Sequence, residues 1–166
     1  MGNNYNVTAT RYHDISCGHR VVGHGGKCEF LHGHNYRIHF TCEAEQLDEV
    51  GRVIDFGVIK TILCQWLEDN WDHKMLLWEK DDNFFIEKLR KFYTHWDSMG
   101  IVEVPFNPTA ENMAEHLLFI SNALLQAEHL CRISNALPQD EGYSDIVCTE
   151  IIVEETRKCS ASAKCK

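Results

Sequence analysis

The feature that most constrains this chain is a pair of histidines separated by one glycine, His32-Gly33-His34. On an extended backbone alternate side chains point to the same side, so both imidazoles can reach one metal ion. His19 supplies a third imidazole upstream. Three histidine ligands leave one position of a zinc ion open to water or substrate, which is typical of catalytic zinc sites. Cys28 lies just before the pair and is either a fourth ligand or a reactive thiol beside the metal.

The composition bounds the class of protein. The 166 residues, 44% of them hydrophobic, suit one globular domain with its own core. The net charge of −9 argues against a nucleic-acid partner, and no apolar run resembles a signal peptide or a membrane span. We therefore expect a cytoplasmic protein without a membrane partner. The eight cysteines are interpreted as reduced thiols, because no Cys-x-x-Cys pair occurs and the core is ample.

Periodicity predicts the strands. From residue 34 to 43 apolar and polar side chains alternate, with Tyr36, Ile38, Phe40 and Cys42 on one face, which indicates a half-buried antiparallel strand. A first strand is predicted over 7–15. The glycine-rich segment 18–33 between the two is predicted to be a loop. Further strands are predicted over 101–104 and 146–156, with a residual strand over 158–164.

Helix signals separate these strands. Asp55 is a plausible N-cap for a helix that ends near Asn70, and Thr109 is the N-cap of a longer helix. An extra amphipathic helix is predicted over 82–96, and a polar loop over 134–145. Strands that occur in pairs between helices predict an α+β domain, with an antiparallel sheet covered on one face by helices. We find no boundary that divides residues 1–166 into two domains.

Six short motifs follow one another between residues 18 and 156: Gly18-His19-Arg20, Lys27-Cys28-x3-His32-Gly33-His34-Asn35-Tyr36, Ile54-Asp55-Phe56, Trp71-Asp72-His73-Lys74-Met75-Leu76, Pro108-Thr109-Ala110-Glu111-Asn112 and Val153-Glu154-Glu155-Thr156. In this order they resemble the 6-pyruvoyltetrahydropterin synthase family. The Cys-x3-His-Gly-His spacing is more similar to the bacterial 6-carboxytetrahydropterin synthase branch, which serves queuosine biosynthesis, than to the animal pyruvoyl enzymes.

The resemblance implies the tunnelling fold, a four-stranded antiparallel sheet with helices on one face. Three subunits close a β-barrel, and two such trimers stack as a homohexamer. It also implies one Zn2+ per subunit, bound by His19, His32 and His34. Two departures accompany it. Cys17 stands where the family has a small residue and could intrude on the metal site, and residues 79–100 form a helical insertion that short bacterial enzymes lack.

The resemblance also implies the catalytic residues. Cys28 matches the general base of the family. Asp72 and His73 match the second part of its proton-transfer apparatus, which is contributed across a subunit interface. A lone Asp-His pair is more often a surface ion pair, so its place among the six motifs is what favours the catalytic interpretation.

Further residues are predicted to bind the substrate. Glu155 matches the carboxylate that anchors the pterin ring, with Thr109 and Glu111 in the adjoining segment. The neighbouring glutamate, Glu154, points to the opposite face of a strand. The triphosphate is assigned by position to two cations: Arg20 and Lys27.

The expected function is a zinc-dependent lyase. It converts 7,8-dihydroneopterin triphosphate to 6-carboxy-5,6,7,8-tetrahydropterin and releases acetaldehyde and triphosphate. Two alternatives stay open at this point. One is a 6-pyruvoyltetrahydropterin synthase, which eliminates triphosphate and keeps the side chain as a diketone. The other is a non-catalytic, zinc-stabilised pterin- or purine-binding protein, in which Cys28 closes the metal tetrahedron.

Overall fold

Six strands form one sheet in a computed structural model, which describes residues 7–92, 99–134 and 146–165. The order across the sheet is β4-β3-β1-β2-β5-β6. Helices packed on one face complete the predicted α+β architecture. The strands are β1 Ala9–His19, β2 His32–Glu43, β3 Met75–Trp78, β4 Ile101–Val104, β5 Val147–Thr156 and β6 Cys159–Lys164.

The prediction of a four-stranded, wholly antiparallel sheet is wrong in strand number and in pairing. β1, β2, β5 and β6 are antiparallel, but β3 runs parallel to β1 and β4 runs parallel to β3. β3 was missed because its apolar run, Met75–Trp78, is short and does not alternate. A strand buried on both faces lacks the period-two pattern by which a strand is recognised.

β1 and β2 remain paired to their very ends. His19 lies opposite His32, and Gly18 lies opposite Gly33, so the predicted loop 18–33 shortens to residues 20–31. A Cβ atom on Gly33 would lie 3.1 Å from the carbonyl oxygen of Cys17, which is tighter than nearly all Cβ contacts. Glycine at this position lets the two backbones approach closely and extends the strand pair to the histidines.

The two faces of the sheet differ in polarity as predicted. The alternating β2 side chains Tyr36, Ile38, Phe40 and Cys42 are all buried on the face covered by helices. The other face carries polar contacts between neighbouring strands: Arg37 Nε forms an ion pair with Asp14 Oδ1 at 2.7 Å, and His39 Nε2 lies 2.7 Å from Glu154 Oε1.

The helices begin at the predicted caps. Asp55 accepts a hydrogen bond from the Gly57 amide at 2.6 Å, and Thr109 Oγ1 accepts one from the Asn112 amide at 3.3 Å. No helix among the described residues is both long and apolar enough to cross a membrane. The helices are α1 Phe56–Ile59, continued by a π-helical turn Lys60–Cys64 into α2 Gln65–Asn70, then α3 Phe84–Phe92 and α4 Ala110–Ser134.

The segment predicted as a helical insertion contains α3, whose described part begins two residues after the predicted start. Residues 93–98 and 135–145, which hold the end of that prediction and most of the predicted loop, lie outside the described residues. Arg90 ties α3 to the sheet. Its guanidinium donates to the carbonyl oxygens of Trp78, Glu79 and Asp81, and pairs with Glu103 at 2.6 Å.

Two isoleucines test the assignment of the faces. Ile38 is 0% exposed on the helix-covered face of β2, whereas Ile152 is half-buried in β5 on the other face. We expect Ile38→Ala to lower the free energy of unfolding by about 3 kcal/mol, and Ile152→Ala by less than about 1 kcal/mol. Urea denaturation at fixed protein concentration measures both, and equal losses would contradict the assignment.

Candidate metal centre

Three histidines converge where β1 and β2 end. His19 is the last residue of β1, His32 is the first of β2, and His34 is on the same face two residues later. One ring nitrogen from each lies within 4.8 Å of the other two, a spacing that suits a shared metal ion. The ring centroids are 4.5, 5.0 and 5.4 Å apart. The structure thus brings together the predicted metal ligands.

Backbone carbonyl groups orient two of the rings. His19 Nδ1 lies 2.6 Å from the Pro108 oxygen, and His32 Nδ1 lies 2.7 Å from the Phe30 oxygen. Because a carbonyl oxygen only accepts, each Nδ1 carries the proton and each Nε2 keeps its lone pair. His32 Nε2 is buried and has no hydrogen-bond partner among the described residues. Carbonyl-bound imidazoles with an inward lone pair are the usual arrangement of zinc ligands, so these residues fit zinc.

Burial sets the protonation of the groups around this centre. It lowers the pKa of His19, although the Pro108 carbonyl acts in the opposite direction, and it therefore favours the neutral imidazole that binds metals. Burial also raises the pKa of the Cys17 thiol to about 12, with a further contribution from Asp72. Cys17 stays a protonated thiol, and it is not part of the three-histidine group.

Glu155 faces the same centre. Its Oε1 lies 3.5 Å from His19 Nε2 and 3.7 Å from His34 Nε2. Tyr36 was not among the predicted site residues. Its hydroxyl donates a hydrogen bond to that Oε1 at 3.3 Å, and the same hydroxyl oxygen lies 3.1 Å from His19 Nε2. Burial raises the pKa of Tyr36, so its hydroxyl remains protonated. Its position two residues after His34 on an alternating strand was the signal that could have revealed it.

Cys28 lies in the connection between β1 and β2, within a 3-10 turn, Lys27–Glu29. Its thiol is half-buried, and its carbonyl oxygen accepts a hydrogen bond from the Val21 amide at 2.7 Å. In the described part of the chain the candidate ligands are histidines only, which favours an open metal site.

Asp72 and His73 form a pair at the junction of β1 and β3. Asp72 Oδ1 accepts the Ser16 amide at 2.8 Å, and Asp72 Oδ2 lies 2.7 Å from His73 Nδ1. Burial by itself would raise the pKa of Asp72, but the Ser16 amide and His73 outweigh it and the pKa is lowered. The carboxylate therefore stays ionised and orients the imidazole.

No hydrogen bond joins the Asp72-His73 pair to the three histidines among the residues that the structure describes, although His73 and His34 line one cavity. The His73 side chain is 82% exposed and lines an open cavity of about 530 Å³. Ser16, which anchors the pair, alternates with the inward-facing Cys17 along β1 and so belongs to the other face of the sheet. His34 and Met99 contribute to the rim of the same cavity.

The loop before α4 contacts the metal centre through its backbone. Pro108, whose carbonyl oxygen orients His19, directly precedes Thr109. The Asn107 side chain donates to the Val22 carbonyl and accepts from the Val22 amide, both at 2.9 Å, and so joins this loop to the β1–β2 connection. Glu111 is exposed in the first turn of α4.

The two cations assigned to the triphosphate have different surroundings. Lys27 is exposed in the same turn as Cys28. Arg20 is only 6% exposed, and its guanidinium pairs with Asp81 while donating to the Glu29 carbonyl. Asp81 had no predicted role, since its partner is 61 positions away in the sequence.

Comparisons with known proteins agree on one family. The family model described as 6-pyruvoyl tetrahydropterin synthase matches residues 8–165. The 6-carboxy-5,6,7,8-tetrahydropterin synthase of Rickettsia typhi is 40% identical over 111 residues, which cover 67% of this chain and 77% of that protein. A solved but uncharacterized protein of Wolinella succinogenes has a TM-score of 0.75 at 18% identity, over 98% of this chain and all of its own. The 6-pyruvoyl tetrahydropterin synthase of Caenorhabditis elegans has a TM-score of 0.60 at 20% identity, with both chains covered in full. At these identities the two structures show a shared fold.

Two histidines of β2 test the metal centre. His34 belongs to the three-histidine group, whereas His39 lies on the opposite face of the same strand. After zinc reconstitution and dialysis, we expect about one zinc ion per chain in the parent and in His39→Asn. In His34→Asn the affinity should fall by at least about 100-fold, because a ligand is lost. Elemental analysis measures the content, and zinc retained in His34→Asn would contradict the assignment.

Proposed function

The chain belongs to the 6-pyruvoyl tetrahydropterin synthase family, and from that membership we propose that it is a zinc-dependent 6-carboxytetrahydropterin synthase of queuosine biosynthesis. The observation that carries the proposal is the three-histidine group, in which two rings are oriented by backbone carbonyl groups. The name of the Rickettsia typhi relative favours the carboxy product over the pyruvoyl product.

The proposed reaction converts 7,8-dihydroneopterin triphosphate and water to 6-carboxy-5,6,7,8-tetrahydropterin, acetaldehyde and triphosphate. The first side-chain carbon stays on the ring and is oxidised to a carboxyl group, while the other two carbons leave as acetaldehyde. The ring accepts the electrons as it goes from the dihydro to the tetrahydro state, so no external oxidant or reductant is consumed. The protein must therefore bind the pterin, remove protons from the side chain and return protons to the ring.

Proton removal is assigned to Cys28. A zinc ion bound by His19, His32 and His34 would polarise the side-chain oxygens and make the neighbouring carbon-bound protons more acidic. Cys28 is half-buried in the adjoining turn, and its thiolate form is the base. The exposed ammonium group of Lys27, next to it in the chain, is available to the triphosphate.

Pterin binding is assigned to Glu155. The carboxylate is 26% exposed beside the three histidines, and Tyr36 donates to its Oε1. A carboxylate can accept paired hydrogen bonds from the ring N–H and the amino group of a pterin, which fixes the ring orientation. Thr109 and Glu111, on the segment that contacts His19 through Pro108, would complete this subsite. The assignment of Arg20 to the triphosphate stays a prediction.

Proton return is assigned to His73 of a neighbouring subunit. The imidazole is exposed and lines an open cavity, where a neighbouring subunit can reach it. An ionised Asp72 close to Nδ1 would hold the ring in one orientation, and the other ring nitrogen would exchange protons with substrate. This arrangement requires an oligomer, which we propose is the homohexamer of two stacked trimers.

The direct test is turnover. Zinc-loaded protein is incubated with 7,8-dihydroneopterin triphosphate, pterins are identified by mass spectrometry, and acetaldehyde is measured with a coupled dehydrogenase. We expect a 6-carboxypterin and acetaldehyde in equal amounts. A pyruvoyl product without acetaldehyde would contradict the carboxy reaction, and tight pterin binding without turnover would contradict an enzyme.

Cys28→Ala tests the base. We expect kcat to fall by roughly 1,000-fold, because a positioned base contributes factors of this order. The zinc content should be unchanged, because Cys28 is not one of the three candidate ligands. Cys159→Ala, which removes an exposed thiol in β6, is the matched control and should retain full activity. Activity retained in Cys28→Ala would refute the assignment.

Co-expression of two inactive variants tests the shared site. Each site needs Cys28 from one subunit and His73 from its neighbour, so random assemblies of Cys28→Ala with His73→Asn should regain about a quarter of the parent activity. Co-expression of two differently tagged copies of Cys28→Ala is the control and should stay inactive. If the mixed assemblies are also inactive, the Asp72-His73 pair does not act between subunits.

A further inference from the structure

A buried ion pair lies beside the turn that carries Cys28. Asp81 is 1% exposed and Arg20 is 6% exposed. Arg20 Nη1 is 3.2 Å from Asp81 Oδ1 and 3.1 Å from Oδ2. Oδ2 makes no hydrogen bond of good geometry to the residues that the structure describes. The charge of Arg20 therefore offsets the cost of burying this oxygen. The guanidinium is thereby held in one orientation.

The same guanidinium forms a hydrogen bond with the turn that carries Cys28. Arg20 Nε donates to the Glu29 carbonyl at 3.0 Å, and Nη2 is 3.9 Å from the Glu29 carboxylate. Glu29 directly follows Cys28, and the next carbonyl, that of Phe30, binds Nδ1 of His32. The segment held by Arg20 therefore carries the proposed base at one end and the orienting contact of a metal ligand at the other.

Asp81 is itself held by two residues that follow it in the chain, Asn83 and Arg90. Its Oδ1 accepts the Asn83 amide at 3.0 Å, and its carbonyl oxygen accepts a hydrogen bond from Arg90 at 2.7 Å. Ile86 of α3 is buried beside Arg20, Glu29 and Asn83 at a cavity of about 290 Å³. Contacts thus run from α3 through Asp81 and Arg20 to the Cys28 turn.

We propose that Asp81 is a positioning residue that acts through Arg20 to hold Cys28 where it can take the substrate proton. Asn83 and Arg90 would then serve to hold this carboxylate in place. The inference rests on the proposed function, in which Cys28 is the base. A buried ion pair rarely stabilises a fold more than apolar residues of the same volume do, so its contribution here is the geometry that it imposes.

This role also accounts for the burial of Arg20. Nε and Nη1 of its guanidinium are directed at the Glu29 carbonyl and at Asp81, and little of the side chain reaches solvent. Lys27 is exposed in the same connection and is the cation better placed for a soluble triphosphate.

Three variants distinguish a role of Asp81 in positioning Cys28 from a role only in the stability of the fold. Asp81→Asn leaves the Arg20 charge buried without its counter-charge. The double variant Arg20→Met with Asp81→Leu removes both charges and keeps apolar volume in their place. Asp82→Asn is the matched control, because it neutralises the exposed carboxylate next in the chain. Each is assayed as the full-length, zinc-loaded protein for kcat, KM, zinc content, melting temperature and the rate of Cys28 alkylation by iodoacetamide, followed on the Cys28 peptide by mass spectrometry.

We expect kcat of Asp81→Asn and of the double variant to fall by about 30-fold, because displacing a catalytic group by about 1 Å has effects of this size. KM of Asp81→Asn should change by less than about threefold, since the pterin contacts and Arg20 itself remain. The half-buried Cys28 thiol should be alkylated at least about five times faster, because its turn opens more often. The double variant should recover the melting temperature of the parent but not its kcat, and Asp82→Asn should match the parent throughout.

Two results would overturn the inference. One is recovery of both melting temperature and kcat in the double variant, which would make the pair purely structural. The other is a Cys28 alkylation rate and kcat in Asp81→Asn equal to those of Asp82→Asn. Cys28→Ala is assayed in parallel, and if it keeps its activity the base assignment fails. The alkylation rate of Cys28 still reports whether Asp81 holds the turn, so the two failures are distinguishable.

Discussion

The close pairing of β1 with β2 at their ends is the contact on which the rest of this structure depends. Gly18 opposite Gly33 lets the backbones approach until His19 lies beside His32, and the period of the strand adds His34 on the same face. A bulkier pair at this position would separate the strands one residue before the histidines. The strand register, rather than a flexible loop, therefore sets the positions of the three histidines of the candidate metal centre.

Backbone groups connect this centre to the other layers. The Pro108 carbonyl, at the start of α4, orients His19, and the Phe30 carbonyl orients His32. The Phe30 carbonyl is also one residue from the Glu29 carbonyl that Arg20 holds. A displacement of the loop before α4 or of the Cys28 turn would thus change the direction of a ligand lone pair, and metal affinity depends on such contacts beyond the ligands themselves.

The sheet divides the chemical groups between its two faces. The histidine group and Glu155 occupy the helix-covered side, next to the connection that carries Cys28, whereas Asp72 and His73 lie at the rim near Ser16. In the proposed function a second subunit contributes the Asp72-His73 pair, so the proposed activity depends on the proposed oligomer. Asp81 binds Arg20, and Arg20 binds the turn that lies between His19 and His32 in the chain.

Sequence patterns by themselves determined the local features of this protein: the shared face of His32 and His34, the buried side of β2, and the caps Asp55 and Thr109. These follow from fixed backbone periods and from side chains that bond to residues two or three positions away. The sequence also predicted β4 over 101–104, but tertiary structure alone decided β3, the parallel pairing of β3 and β4, and two contacts that span 89 and 61 positions, those of Pro108 with His19 and of Asp81 with Arg20. The apolar run of β3 does not alternate, strand pairing depends on residues far apart in the sequence, and every residue has the same backbone carbonyl, so the sequence gives no local signal for these features.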